Sequence, residues 1–306
     1  LPNGRALIWA WSPLVAWEFA GSGHFDSLGI ALLVAGLLAL EPGRRRGQAD
    51  ERAKDHADAP VSEPLAPLPA TQGDPRVQLP RRRLALGALA LAAAFHVKLL
   101  PLLAFPFVVR RAGRAGGPLL AALLLAGLAL LAAPVALLEG GLSGAFAGLS
   151  EYGLRWEAWN LGFRWFEPLF EGFGVRDGSV TDPRRLARLA VAVALALFGL
   201  RLFLRRVEPV AATALCLAGY LLLTPTLHPW YLTWLIALLA FLPSGLARPW
   251  LWLAVASPIL YLPLVGWHTE GVWQHPTWTW PVVAVPFFLL LLGGLPAVER
   301  ALRGRP

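Results

Sequence analysis

Residues 117–138 read GPLLAALLLAGLALLAAPVALL, a run with no charged or polar side chain. A helix rises about 1.5 Å per residue, and a bilayer core about 30 Å thick needs roughly 20 apolar residues. This stretch therefore predicts a membrane-crossing helix, and Arg110, Arg111 and Arg114 stand immediately before it. Working outward, further apolar stretches lie at 6–20, 27–40, 186–204, 209–224, 231–243, 249–265 and 281–298. The composition agrees: 57% of the 306 residues are hydrophobic against 15% charged, and mean hydropathy is +0.56. A soluble enzyme, a disordered tail and a secreted disulfide scaffold are excluded by these values. The lone Cys216 allows neither an intrachain disulfide nor a Cys-rich metal site. The expected fold is all-α, a polytopic transmembrane bundle of about eight spanning helices plus one broken hairpin, forming a single integral-membrane domain over 1–306.

The hairpin is the stretch 84–109, which His96, Lys98 and Pro101 interrupt. If it returns to the side from which it enters, the outer face receives only Arg155, Arg164, Arg176, Arg184, Arg185 and Arg188. Lys98 lies at membrane depth, and every other member of the 27 Lys+Arg falls on the cytoplasmic side. A single crossing would invert everything downstream and even out the two sides, so the positive-inside rule favours the hairpin. Residues 42–83 then form a cytoplasmic loop. Their charges, Pro and Ala, and their lack of helical periodicity, predict disorder. Residues 139–184 form an extracytoplasmic loop rich in aromatics, among them Trp156, Trp159 and Trp165. In this topology all of the 14 Trp except Trp250 and Trp252 lie on or near the outer face. Part of that enrichment is an interfacial belt. The crowding of Trp with His, Asn and Glu also fits a wet sugar-binding pocket. The net charge of +8 is accounted for by topology, and no nucleic-acid partner is expected. The chain has no Met and opens directly on LPNGRALIWAW, so an upstream part of the protein is expected to be missing.

Three short constellations carry the chemistry. The first, WEFAGSGHFDS over 17–27, gathers Glu18, His24 and Asp26 at the mouth between two helices, where an ionisable group is costly unless it works or is paired. Asp26 also stands where an N-cap for 27–40 is needed. The second, FHVKLLP over 95–101, puts Lys98 inside an apolar run. It either snorkels to the interface or pairs with an acid or a lipid phosphate. The third, TPTLHPWY over 224–231, starts a helix at Pro229 and sets His228 and Tyr231 beside its free N–H groups, which suit a phosphate. Trp159 and Asn160 would form part of the substrate rim or else belong to a packed surface helix. No nucleotide-binding loop and no metal-ligand spacing is present, so neither a cofactor nor a metal is expected.

Taken in order, WSPLVAWEFAGSGHFDSLGIALLVAGLLAL, AAAFHVKLLPLLAFP and LLLTPTLHPWYLTW resemble bacterial integral-membrane glycosyltransferases of the GT-C superfamily. The likeness is above all to polyprenyl-phosphate-mannose-dependent mannosyltransferases, including glycosyltransferase family 87. The resemblance implies a metal-independent, inverting transfer of a hexose, mannose in the first place. The donor would be a polyprenyl-phosphate sugar and the acceptor a lipid-linked or glycan hydroxyl, on the outer face of the cytoplasmic (inner) membrane, among membrane lipids. Glu18 and Asp26 are the candidate catalytic carboxylates, although the family's main base normally sits in a first outer loop that would lie upstream of residue 1. His24, Lys98, Trp159, Asn160, His228 and Tyr231 are the candidate substrate-binding residues, with Lys98 and His228 on the donor phosphate. The competing expectation is a multi-pass transporter or flippase, since broken helices with ionisable groups at depth also serve transport.

Overall fold

The computed structural model describes residues 12–16, 18, 25–41, 79–138, 141–172, 181–272 and 274–303. His24, most of the 42–83 stretch and residues 173–180 lie outside the described residues. The described chain is helical, with no strand. After a single helical turn at Pro13–Ala16 come α1 (Asp26–Ala39) and α2 (Arg81–Val97). A 3-10 segment Leu100–Ala104 leads into the short α3 (Phe105–Arg111) and then α4 (Gly113–Ala136). The aromatic stretch is not all loop: it holds α5 (Gly141–Arg155) and two 3-10 turns, Phe163–Trp165 and Glu167–Phe170. Then follow α6 (Pro183–Leu204), α7 (Pro209–Leu223) and α8 (Pro229–Leu239). The chain ends with α9 (Ser244–Ala256), a 3-10 segment Ser257–Tyr261, α10 (Leu262–Glu270) and α11 (Thr279–Arg303).

Several starts are written in the sequence. α6, α7 and α8 each begin with Pro at the first helical position, where its missing N–H costs nothing. Asp182 and Glu208 precede two of them, and their carboxylates accept from the free backbone N–H groups of Arg184 and of Val210 and Ala211, all at 2.9 Å.

The hairpin is present. α1 and α2 are antiparallel neighbours: a Cβ on Gly36 would meet Leu91, and one on Gly87 would meet Leu40. Small residues at these crossings let the helices approach closely. α2 and α4, by contrast, run parallel. Leu84 lies by Gly116 and Ala92 by Gly127, and His96 Nε2 lies 3.0 Å from the Leu128 carbonyl oxygen. Two consecutive parallel helices require the chain to come back between them. The 17 residues of α2 rise about 25 Å, and the 3-10 segment with α3 returns about 20 Å. The two legs are unequal, one nearly full-length and one broken, where two half-length helices were expected. Gly113, at φ 71°, turns the chain from α3 into α4. At the foot of the return leg the Arg110 guanidinium donates to the carbonyls of Phe203 and Val207, covering the free carbonyl end of α6.

Among the described residues, four segments are long and apolar enough to cross a membrane: Gly113–Ala136, Pro183–Leu204, Ser244–Glu270 and Thr279–Pro296. α1, α7 and α8 are shorter apolar helices, so the count of about eight spans is not reached by length. α8 shows why. Its 11 residues are buried nearly all round, including Leu232, Thr233, Trp234 and Leu235. An apolar run of that length suits a core helix better than a span. α8, which holds the first part of the expected 231–243 helix, is the hub against which α1, α7 and α9 pack. The expected helix 249–265 is in fact part of a longer Ser244–Glu270 segment, interrupted at Ser257–Tyr261.

Candidate functional site

The interruption after α2 builds the site. Pro101 cannot continue the helical hydrogen bonding, and the residue at the end of α2, Lys98, is fully extended at φ −161°, ψ 148°. That conformation swings its side chain off the helix axis and across to α1. Lys98 Nζ donates to Asp26 Oδ1 at 2.7 Å, between residues 72 apart in sequence. The same Oδ1 accepts the indole N–H of Trp234, from the middle of α8. Lys98 Nζ also stands 4.1 Å from the centroid of the Tyr231 ring, a cation–π distance. The three constellations therefore meet at one ammonium group. The choice left open for Lys98 is resolved in favour of pairing: its side chain is 21% exposed and that of Asp26 is 9% exposed. Asp26 does not cap its helix. The N-cap is Phe25, without a side-chain bond, because the carboxylate is turned inward to Lys98 and Trp234.

The second carboxylate, Glu18, is completely buried. The phenol of Tyr261 donates to its Oε1, across 243 residues of sequence. The 3-10 interruption Ser257–Tyr261 is what brings that phenol inward. Glu18 is also close enough to add to the electrostatic attraction on Lys98. Tyr261 and Trp234 are the partners that the sequence reading missed. Pro258 inside an apolar run was the available signal for the former. For the latter there was none, since Trp234 looks like any core aromatic.

His228 is the N-cap residue of α8 and is half-buried. Its ring stacks on Trp230, with centroids 4.3 Å apart and planes 8° apart, and lies 5.9 Å from Tyr231. It thus borders the Lys98 group through Tyr231. Trp159 and Asn160 belong to a strap that runs beside the chain entering α8. Ala158 N donates to Pro225 O at 3.2 Å, Leu227 N to Trp159 O at 2.8 Å and Gly162 N to Leu222 O at 2.9 Å. Trp159 is 5% exposed and packs into the main core. Asn160 Oδ1 accepts from Arg164 N at 2.9 Å, closing a local turn, and its carbonyl accepts the Trp280 indole N–H at 3.1 Å. Both hold the strap, and the strap seats Leu227 and hence His228. Arg188 fastens the strap's start, donating to Trp156 O at 3.0 Å and Glu157 Oε1 at 3.2 Å.

An ammonium, two carboxylates, an imidazole and two phenols are thus gathered in an otherwise apolar interior. Such a group can bind an anion and move a proton. Residues 165–292 match the family model described as the MptB C-terminal domain, which supports a mannosyltransferase-like membrane protein. The matched region holds His228, Tyr231, Trp234 and Tyr261, while Glu18, Asp26 and Lys98 precede it. No curated protein and no solved structure matches the chain.

Proposed function

We propose that the protein transfers a hexose, mannose in the first place, from a polyprenyl-phosphate donor to a hydroxyl of a lipid-linked or glycan acceptor. The reaction takes place on the extracytoplasmic face of the cytoplasmic membrane. The observation that carries this reading is the convergence of Lys98 with Asp26 and Tyr231, beside His228. In the transfer, the acceptor oxygen forms a bond to the anomeric carbon as the bond from that carbon to the phosphate oxygen breaks. The electron pair leaves with the phosphate, and the hydroxyl proton passes to a carboxylate. Lys98 and His228 offset the negative charge gathering on the leaving phosphate. Glu18 and Asp26 are the two candidate carboxylates for that proton.

The test is to incubate membranes containing the full-length protein with radiolabelled polyprenyl-phosphate mannose and look for a new glycolipid or glycan. His228→Ala should lose most of that product, and full activity in this variant would refute its role at the phosphate. Two interrupted segments, at Lys98–Ala104 and Ser257–Tyr261, also suit a transporter, whose sites are built from discontinuous helices. In that case label would cross the membrane and no new glycoside would form.

A further inference from the structure

Asp26 and Glu18 are both buried carboxylates, but they are held in different ways. We infer that Asp26 serves the reaction as a positioning residue, fixing the Lys98 ammonium with the help of the Trp234 indole, and not as the base. This rests on the transfer reading given above. Asp26 Oδ1 accepts from both Lys98 Nζ and Trp234 Nε1. A proton taken at either oxygen would neutralise the charge in direct contact with the Lys98 ammonium, inside a largely apolar interior. Lys98, for its part, sits on extended backbone between α2 and a 3-10 segment, and its flexible four-carbon stem has no helical turn to fix its direction. Asp26 and the face of Tyr231 supply that direction. Asp26 takes one of the three ammonium N–H groups and leaves donors for a phosphate.

A glycine shows that this contact is built into the packing. Gly29 lies one turn after Asp26 on α1. A Cβ there would stand 2.6 Å from the Trp234 ring and 2.9 Å from Val97, the neighbour of Lys98. Its absence is what lets both partners of Asp26 reach α1 together. The proton of the acceptor hydroxyl is then left to Glu18, whose Oε1 is oriented by the Tyr261 phenol.

The test is a double-mutant cycle on the full-length protein in nanodiscs, with polyprenyl-phosphate mannose as the varied substrate. Asp26→Asn should raise donor KM about tenfold, the scale of one misdirected charge-assisted hydrogen bond. Its kcat should stay within a few-fold of wild type, and its pH–rate profile should keep the acidic limb. Lys98→Met should raise donor KM at least as much, and adding Asp26→Asn to it should cost little more, because Asp26 acts through Lys98. Trp234→Phe, which keeps the ring and removes the N–H, should move donor KM in the same direction. The inference is overturned if Asp26→Asn lowers kcat at saturating donor by about 100-fold or more, the scale of a lost base. Multiplying effects in the double variant would overturn it too. If the wild-type protein itself transfers no sugar, the transfer reading fails and this inference falls with it. An active wild type with an additive cycle refutes only the positioning role.

Discussion

Replacing Lys98 by Met should destabilise the protein by about 3 kcal/mol, and replacing Asp26 by Asn in addition should restore most of the loss. The size follows from where the pair sits. Exposed ion pairs contribute about 0–1 kcal/mol, whereas removing one partner of a buried pair costs about 3–5 kcal/mol. With side chains 21% and 9% exposed, Lys98 and Asp26 lie near the buried limit, and the remaining exposure of Lys98 sets the value at the low end. At 2.7 Å the gross attraction in an effective dielectric of about 20 is roughly 6 kcal/mol, most of it offset by desolvation of both groups. Met fills the volume of the Lys stem, so little of the loss is cavity formation. What remains in the single variant is a buried carboxylate held by the Trp234 indole alone. In the double variant the side-chain amide that replaces this carboxylate is neutral, and its oxygen still accepts the indole N–H. Thermal unfolding in nanodiscs, followed by tryptophan fluorescence, should show the single variant lower by roughly 6–10 °C. A shift under about 2 °C for Lys98→Met would refute the buried-pair argument. So would a double variant as unstable as the two single variants summed.

Two further outcomes are expected. Gly294→Ala should lower stability by about 1–3 kcal/mol, because a Cβ there collides with the Gly245 carbonyl oxygen of α9, a backbone atom that cannot rotate away; an unchanged unfolding midpoint would mean that α9 and α11 do not cross so closely. His275, in the connection between α10 and α11, has its pKa pushed below the ordinary 6.5 by burial, so the fold favours its neutral ring. Above about pH 6.5 both folded and unfolded forms are neutral and this residue contributes nothing. As pH falls below that value the unfolded chain takes up a proton that the folded one resists. Stability should therefore decrease modestly, because the ring is only half-buried, until the folded value is passed. Unfolding midpoints measured from pH 7.5 to 5.0 should fall for wild type and flatten in His275→Gln; identical slopes in the two would refute the assignment.

The sequence made the return of the chain after α2 legible, because a Lys and a Pro inside an apolar run have few physical explanations. Either the helix breaks there or the charge is stranded. The helix starts at Pro183, Pro209 and Pro229 were equally readable, since each depends on one residue's own backbone. What was not readable was which apolar run faces lipid and which faces protein. α4 beyond Arg114 and α8 are both strongly apolar, yet the spanning window of α4 is only 17% buried while α8 is enclosed. Hydrocarbon and a protein core demand the same side chains, so composition cannot separate them; only length gives a hint. The same ambiguity hid Trp234, whose N–H serves Asp26, and left Trp159 between a substrate rim and a packed position; its ring packs into the core.

Polar groups were legible as types but not as pairs, and the reason is energetic. In an apolar interior every charge must find a partner, so a Glu, an Asp and a Lys in such runs announce that partners exist. Which partner each one finds depends on where the helices are interrupted. The break at Lys98 delivers an ammonium to Asp26, and the break at Ser257–Tyr261 delivers a phenol to Glu18. An ammonium in direct contact with its carboxylate fixes the position of both groups. The Tyr261 phenol orients Glu18 through a hydrogen bond and carries no charge of its own, while Lys98 acts on Glu18 as a nearby charge. The two interruptions therefore give two acids of similar chemistry different partners, an ammonium and an indole for one and a phenol for the other. That asymmetry follows from helix geometry, and it is what a transferase needs if one carboxylate is to hold the donor's counter-charge while another deals with the acceptor's proton.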